Sequence, residues 1–167
     1  MKPQLRSSLL ILTLWIALDT TTATDFEKLG TAIQNALGTA KAFKTTASVG
    51  KKSHDVYYSK GASGKAEKLA VIQKGIYEPN CTHTWVITVD AKSSKVEQVR
   101  VVEMSCPHAF PAQKAAYLAQ YKGVGPAAVK TLRDEVKTIA KATGSCNLTT
   151  DAVVVAIGAA ENLKGKI

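Results

Sequence analysis

The sequence lacks a hydrophobic run long enough to cross a membrane as a helix. Its longest apolar stretch, within residues 7–18, has about twelve residues, whereas a spanning helix needs about 20. Two basic residues precede this stretch, and the small residues 20–23 follow it. This order is typical of a cleavable secretory signal peptide. We therefore expect residues 1–23 to be a signal peptide, with a retained membrane anchor as the alternative.

Repeats, low-complexity tracts and long linkers are also missing, so we expect residues 24–167 to form a single exported domain. Acidic residues are scarce. The sequence has 13 Asp and Glu residues and 22 Lys and Arg residues, which gives a formal net charge of +9. The lysines are spread along the chain, which is typical of a solvated surface. The charge therefore does not require nucleic acid as a partner.

Common catalytic signatures are absent as well. The sequence contains no nucleophile elbow, no phosphate-binding P-loop and no metalloprotease helix. It has three histidines, which do not make a catalytic triad by themselves. We therefore assign no catalytic residue from the sequence.

Cysteine is rare, with Cys81, Cys106 and Cys146 as its three positions. Residues 83–89 and 96–103 have strand-like patterns, and the polar residues 90–95 between them predict the turn of an antiparallel hairpin. Counting outward from this turn places Cys81 nearly opposite Cys106 at the open end of the hairpin. These two cysteines are therefore the expected disulfide in an oxidising compartment.

The open end of the hairpin also carries two Cys-x-His units. His83 lies two residues after Cys81, and His108 lies two residues after Cys106. Two thiolates and two imidazoles can bind zinc tetrahedrally. Because facing cysteines of exported proteins are more often oxidised, we expect a disulfide and no metal, with zinc or unpaired thiols as alternatives.

The remaining segments predict an α+β fold. Apolar residues recur at helical spacing over residues 25–37, which predicts a helix capped by Thr24 or Asp25. Residues 54–59 and 68–73 have strand patterns, and residues 111–121 have the pattern of a short helix. We therefore expect an antiparallel sheet with a central hairpin, packed against N-terminal and C-terminal helices.

A Gly-Val-Gly turn at residues 123–125 precedes an alanine-rich segment. A turn of this kind before a helix is similar to a helix-hairpin-helix, whose backbone amides can bind a DNA phosphate. An exported DNA-binding module that uses Gly123 and Gly125 is therefore one alternative function. A disulfide-stabilised structural domain without a cofactor is another.

A small polar segment precedes the apolar residues 152–160 near the end of the chain. Ser145 and Asn147 are good N-cap residues, so the simplest interpretation is a capped helix that packs on the sheet. The alternative is a site for an anionic group such as phosphate. The helix dipole, its free amides and the hydroxyls of Ser145, Thr149 and Thr150 would bind that group.

Four segments occur in an informative order: AVIQKGIYEP at residues 70–79, the two hairpin strands, YLAQYKG at residues 117–123, and the turn and helix at residues 139–157. This order resembles the FMN-binding domain family over residues 56–163. That family includes periplasmic flavoprotein subunits of the sodium-pumping NADH:quinone reductase and the Rnf complex. The resemblance implies a periplasmic or secreted electron carrier that has a redox partner protein, in some cases within a membrane-associated electron-transfer complex.

The resemblance also points to the residues that would bind FMN, by aligning the Gly-Ala-Thr triplet of the family with residues 145–147. Family members with covalent flavin esterify FMN to the threonine of this triplet, and Asn147 has no hydroxyl. We therefore expect noncovalent FMN binding, with residues 104–110 forming part of the ring slot, or else loss of flavin binding. The expected cofactor-binding residues are Ser145, Cys146, Asn147, Leu148, Thr149 and Thr150.

Cys146 has three interpretations. It can be a small buried residue, the disulfide partner of Cys106, or a thiol whose pKa is lowered at a helix N-terminus. The first of these is the expected one.

Overall fold

The computed structural model describes residues 27–77 and 79–167. The predicted signal peptide lies outside the described residues, as do the caps Thr24 and Asp25. Within these ranges, the helices are α1 (Leu29–Leu37), α2 (Ala115–Leu118), α3 (Leu132–Glu135) and α4 (Thr143–Leu163). The strands are β1 (Phe43–Val49), β2 (Lys52–Lys60), β3 (Ala66–Tyr77), β4 (Cys81–Asp90) and β5 (Val96–Met104). Short 3-10 helices cover Pro107–Gln113, Ala119–Tyr121 and Pro126–Ala128.

The five strands form one antiparallel sheet in the order β1-β2-β3-β4-β5. Each strand pairs with the next one in the chain because the connections between them are short. Gly50, in the turn between β1 and β2, has a φ of 59°, a left-handed conformation that glycine adopts without a side-chain penalty. The predicted α+β fold with a central hairpin is confirmed.

The sheet lies between two helical layers. On one face, α1 packs against Ala70, Val86 and Val102. On the other face, α4 packs mainly on β3, β1 and β4. Since β4 has a helix on each side, nearly all its residues are buried, which explains the almost uninterrupted apolar run over residues 85–89.

The segment after the hairpin covers the edge of β5. The N–H of Val96 donates to the carbonyl of Val124 at 2.8 Å, and the N–H of Gly123 donates to the carbonyl of Val96 at 2.7 Å. The glycine turn is thus paired with the sheet. It is followed by the three-residue 3-10 helix Pro126–Ala128, so the expected helix directly after the turn is wrong.

The helix predicted over residues 111–121 is also different in the structure. The chain there forms the end of a 3-10 helix, the single turn α2 and a second 3-10 helix. Proline residues at 107 and 111 lie within the first of these, and proline cannot donate to a regular α-helix. The turns nevertheless bury Tyr117, Leu118 and Tyr121 against the sheet.

The last helix is held near its C-terminal end by the hairpin turn. The hydroxyl of Ser94, which is fully buried, donates to the Glu161 carboxylate. This hydrogen bond holds the pKa of Glu161 below its usual value. No helix among the described residues is both long enough and apolar enough to cross a membrane.

Candidate functional site: a cleft at the start of the last helix

The open end of the central hairpin is closed by a disulfide. Cys81 and Cys106 are bonded, with 5.3 Å between their Cα atoms, so the expected pairing is confirmed. Cys146 is free and fully buried, which overturns its pairing with Cys106 and confirms the packing role.

The zinc alternative is wrong because the disulfide uses both sulfur atoms. The described residues also contain no group of three or more His, Cys, Asp or Glu side chains that could bind a metal ion.

A cleft of about 580 Å³ lies between this disulfide and the start of α4. One wall is the loop after β5, the second is the turn between β3 and β4, and the third is the first turn of α4. The described lining residues are Tyr77, Pro79, Asn80, Cys81, Ser105, Cys106, Pro107, His108, Ala109, Lys141, Ala142, Thr143, Gly144 and Ser145. They include one lysine and no carboxylate, so the charged side chain among them favours an anion.

The helix begins earlier than expected. Its first residue is Thr143, and no side chain caps it, so the prediction that Ser145 or Asn147 is the N-cap is wrong. The first hydrogen bond at this end runs from the Cys146 N–H to the Ala142 carbonyl at 2.9 Å. The N–H groups of the preceding turn therefore have no acceptor within the helix. They lie at the positive end of a 21-residue helix dipole.

The hydroxyls expected to contact a phosphate are instead turned into the protein. Thr149 donates to the Ser145 carbonyl at 2.9 Å, and Thr150 donates to the Cys146 carbonyl at 3.1 Å. Both threonines are buried. Hydroxyls inside a helix often bond the carbonyl four residues earlier. Of the six predicted binding residues, Ser145 alone is among those that line the cleft, and the hydroxyl protons of Thr149 and Thr150 are already donated within the helix.

Thr150 belongs to a buried polar cluster beneath the cleft. The Tyr121 hydroxyl lies 2.9 Å from the Thr150 hydroxyl and 2.9 Å from the Tyr117 hydroxyl. Burial raises the pKa of both tyrosines, which keeps them as neutral phenols. The cluster thus stabilises the start of α4 without adding charge.

Ser145 takes part in a second buried chain of hydrogen bonds. The His83 ring donates from Nδ1 to the Cys81 carbonyl at 3.0 Å, because a carbonyl can only accept. In the neutral ring, Nε2 is therefore the acceptor, and Ser145 Oγ donates to it at 2.9 Å. His83 is fully buried, and this burial lowers its pKa below the usual value. One part of this hydrogen-bond arrangement could be foreseen from the sequence, because residues 81 and 83 lie on the same face of a strand.

The ring of Tyr77 lies over the first turn of α4. A Cβ atom added to Gly144 would come within 2.2 Å of the Tyr77 ring, so the close approach of this ring depends on glycine. Tyr77 itself is 53% exposed. It therefore forms an aromatic rim of the cleft that is free of close packing on its outer side.

A different groove, of about 900 Å³, runs along β5. Four of its charged side chains form two ion pairs: Lys68 contacts Glu97 at 2.9 Å, and Arg100 contacts Glu27 at 3.1 Å. The α4 cleft, in contrast, combines unpaired backbone donors with an apolar wall. We therefore take the α4 cleft as the candidate site.

The residues predicted from the sequence are thus only partly brought together. Cys81, Cys106 and Ser145 line the cleft, and Cys146, Thr149 and Thr150 lie buried beneath it. Asn147 and Leu148 are partly exposed, and Leu148 lines a separate groove beside β3. In comparisons with protein-family models, curated proteins and solved structures, nothing matches this chain.

Proposed function

We propose that this protein binds FMN noncovalently in the α4 cleft and serves as an exported electron-transfer protein with a redox partner protein. The observation that carries the proposal is the uncapped first turn of α4, which faces a cleft of about 580 Å³. Known ligand cavities have volumes of roughly 300–1,000 Å³. The disulfide Cys81–Cys106 is compatible with an oxidising compartment.

The phosphate group would bind at the backbone of α4. The N–H groups of Thr143, Gly144 and Ser145 have no acceptor within the helix. A helix N-terminus attracts anions through these donors and through its dipole. Lys141 lines the same part of the cleft and adds a positive charge. This site lies earlier in the helix than the one expected from the sequence, and it uses backbone donors in place of hydroxyls.

The ring system would lie against the apolar side of the cleft. Tyr77, Pro79, Pro107 and Ala109 supply this surface, and the last two belong to the loop that the family resemblance assigns to the ring. When bound, the flavin supplies one-electron and two-electron redox chemistry. The residues of this chain would hold it in position and limit its contact with water.

The placement of residues 145–150 favours noncovalent binding. Ser145 Oγ is hydrogen-bonded to His83, and the hydroxyls of Thr149 and Thr150 are buried against helix carbonyls. Asn147 carries no hydroxyl. Among these six side chains, Ser145 therefore carries the one hydroxyl at the cleft wall, and its proton is already donated to His83.

The proposal is tested by titrating the purified protein with FMN and with riboflavin, which lacks the phosphate. We expect FMN to bind about fivefold more tightly, since an anion at a helix N-terminus contributes on the order of 1 kcal/mol. Visible absorbance and flavin fluorescence report binding. Equal affinities for the two flavins would contradict the phosphate site, and no binding of either flavin would contradict the function.

A matched pair of charge reversals tests the location of the site. Lys141→Glu places a negative charge in the cleft wall and should weaken FMN binding severalfold or more, with a smaller effect on riboflavin. Lys137→Glu makes the same change outside the described cleft lining and should have little effect. Equal effects of both variants would place the flavin elsewhere. Salt-sensitive retention on DNA without flavin binding would favour the DNA-binding alternative.

A further inference from the structure

We propose that Ser145 is a nucleophile activated by His83, and that the α4 cleft cleaves small carboxylic esters bearing an apolar or aromatic group. This proposal goes beyond flavin binding and needs no cofactor. It rests on three side-by-side features of the cleft: a serine bonded to a histidine, a fixed orientation of that histidine, and backbone donors beside the serine.

The hydrogen-bond chain has the order that an activated serine requires. Ser145 Oγ donates to His83 Nε2 at 2.9 Å, and His83 Nδ1 donates to the Cys81 carbonyl at 3.0 Å. A nucleophile within hydrogen-bond reach of a base, with the base oriented by a third group, is the general arrangement of such sites. Here the third group is a backbone carbonyl, which selects the tautomer whose free lone pair faces Ser145.

The base is held rigidly. His83 lies on the doubly covered strand β4, and its ring stacks on Trp85 with 5.2 Å between centroids and 14° between planes. Cys81, which supplies the orienting carbonyl, is fixed by the disulfide. Burial lowers the pKa of His83, so the ring is neutral near pH 7 and able to accept a proton.

The serine lies at the wall of the cleft. Ser145 is 4% exposed but is among the residues that line the cleft, whereas Thr149 and Thr150 are buried and do not line it. Ser145 also belongs to the first turn of α4, and the unbonded N–H groups of that turn can stabilise a developing oxyanion. The apolar wall formed by Tyr77, Pro79 and Pro107 favours an apolar or aromatic substituent on the ester.

The reaction is acyl transfer followed by hydrolysis. Ser145 Oγ forms a bond to the carbonyl carbon while its proton passes to His83 Nε2. The bond from that carbon to the leaving oxygen breaks, and the same proton leaves with the alcohol. Water then attacks the acyl group with His83 as base, the bond to Oγ breaks, and the carboxylic acid is released with the serine restored.

The experiment is covalent labelling of the flavin-free, full-length mature protein with an alkyl fluorophosphonate, followed by intact mass measurement and peptide mapping. We expect one label per chain, located on Ser145. Ser145→Ala should abolish labelling, and His83→Gln should slow it about 100-fold or more, the usual range for loss of a general base. Thermal melting verifies that both variants are folded.

Matched controls separate this role from a general effect on the fold. Ser48→Ala changes an exposed serine of β1, and His54→Gln changes a histidine bonded to Gln73; both variants should label at the rate of the unmodified protein. An unlabelled wild-type protein, a label on another residue, or an unchanged rate in folded His83→Gln would each overturn the proposal. Because wild-type labelling needs neither variant nor flavin, its failure is distinct from a failure of FMN binding.

Discussion

The two helical layers of this protein cover the same sheet in different ways. Helix α1 buries two alanines, one isoleucine and one leucine, and no polar side chain. Helix α4 buries a longer apolar stretch, but its first turns also bury Ser145, Thr149 and Thr150. Buried hydroxyls cost desolvation energy unless they are hydrogen-bonded, and all three of these are bonded. One layer therefore contributes packing alone, and the other combines packing with a polar site.

The largest expected effect compares one isoleucine from each layer. Ile157→Ala, within the larger cluster under α4, should lower the free energy of unfolding by about 4 kcal/mol, and Ile33→Ala in α1 by about 2 kcal/mol, within the usual range for such cavities. Ile157 is 1% exposed and Ile33 is 6% exposed. Urea denaturation measures both. Equal losses would show that the two layers contribute equally.

The second effect concerns the disulfide beside the cleft. Replacing both Cys81 and Cys106 by alanine should lower the free energy of unfolding by about 3 kcal/mol, because the bond closes a loop of 25 residues. Chemical denaturation of the oxidised protein and the double variant provides the value. Cys146→Ala serves as the comparison, since Cys146 is free. A loss below about 1 kcal/mol in the double variant would contradict a stabilising role.

The smallest expected effect is a dependence of the free energy of unfolding on pH. It should involve the α4 layer, through His83, and not the α1 layer. His83 has a folded-state pKa below its usual value, so the unfolded chain binds more protons below about pH 6.5. The contribution of His83 to the free energy of unfolding therefore has its full value above that pH. It falls as the pH drops toward the folded-state pKa, by up to about 1.4 kcal/mol per pH unit.

Denaturation at pH 7.5 and pH 5.5 measures this dependence. His83→Gln should lose most of the difference between the two pH values, whereas Ile33→Ala should retain it. The carboxyl groups of Asp90 and Glu103 act below this range, since hydrogen bonds from neighbouring hydroxyls lower the pKa of each carboxyl below its ordinary acidic value. The same slope in wild type and His83→Gln would assign the pH dependence to other groups.

Much of the fold could be predicted from local patterns. The alternation over residues 96–103 and the polar turn at residues 90–95 correctly indicated the hairpin, and counting from that turn correctly paired Cys81 with Cys106. Strand β1 was missed because it is an edge strand with one fully buried residue, Ala47. A strand that is mostly exposed carries a weak hydrophobic pattern.

The candidate site was harder to predict because tertiary contacts decide it. Cap preference placed the start of α4 at Ser145 or Asn147, yet the helix begins at Thr143. Ser145 bonds His83, a partner 62 residues away, and such a partner is invisible to local sequence patterns. The first turn of α4 could therefore be identified as important from sequence, but the direction of its side chains could not.

Each end of α4 is hydrogen-bonded to a different end of the segment formed by β4 and the hairpin turn that follows it. Ser145 meets His83 near the disulfide, and Glu161 meets Ser94 in the hairpin turn. The helix rises about 24 Å between these bonded residues, close to the roughly 23 Å that β4 extends from His83 to Asp90. Inserting one residue between them would rotate one bonded side chain by about 100°. Evolutionary length variation is thus expected in the loops of this protein and not between residues 145 and 161.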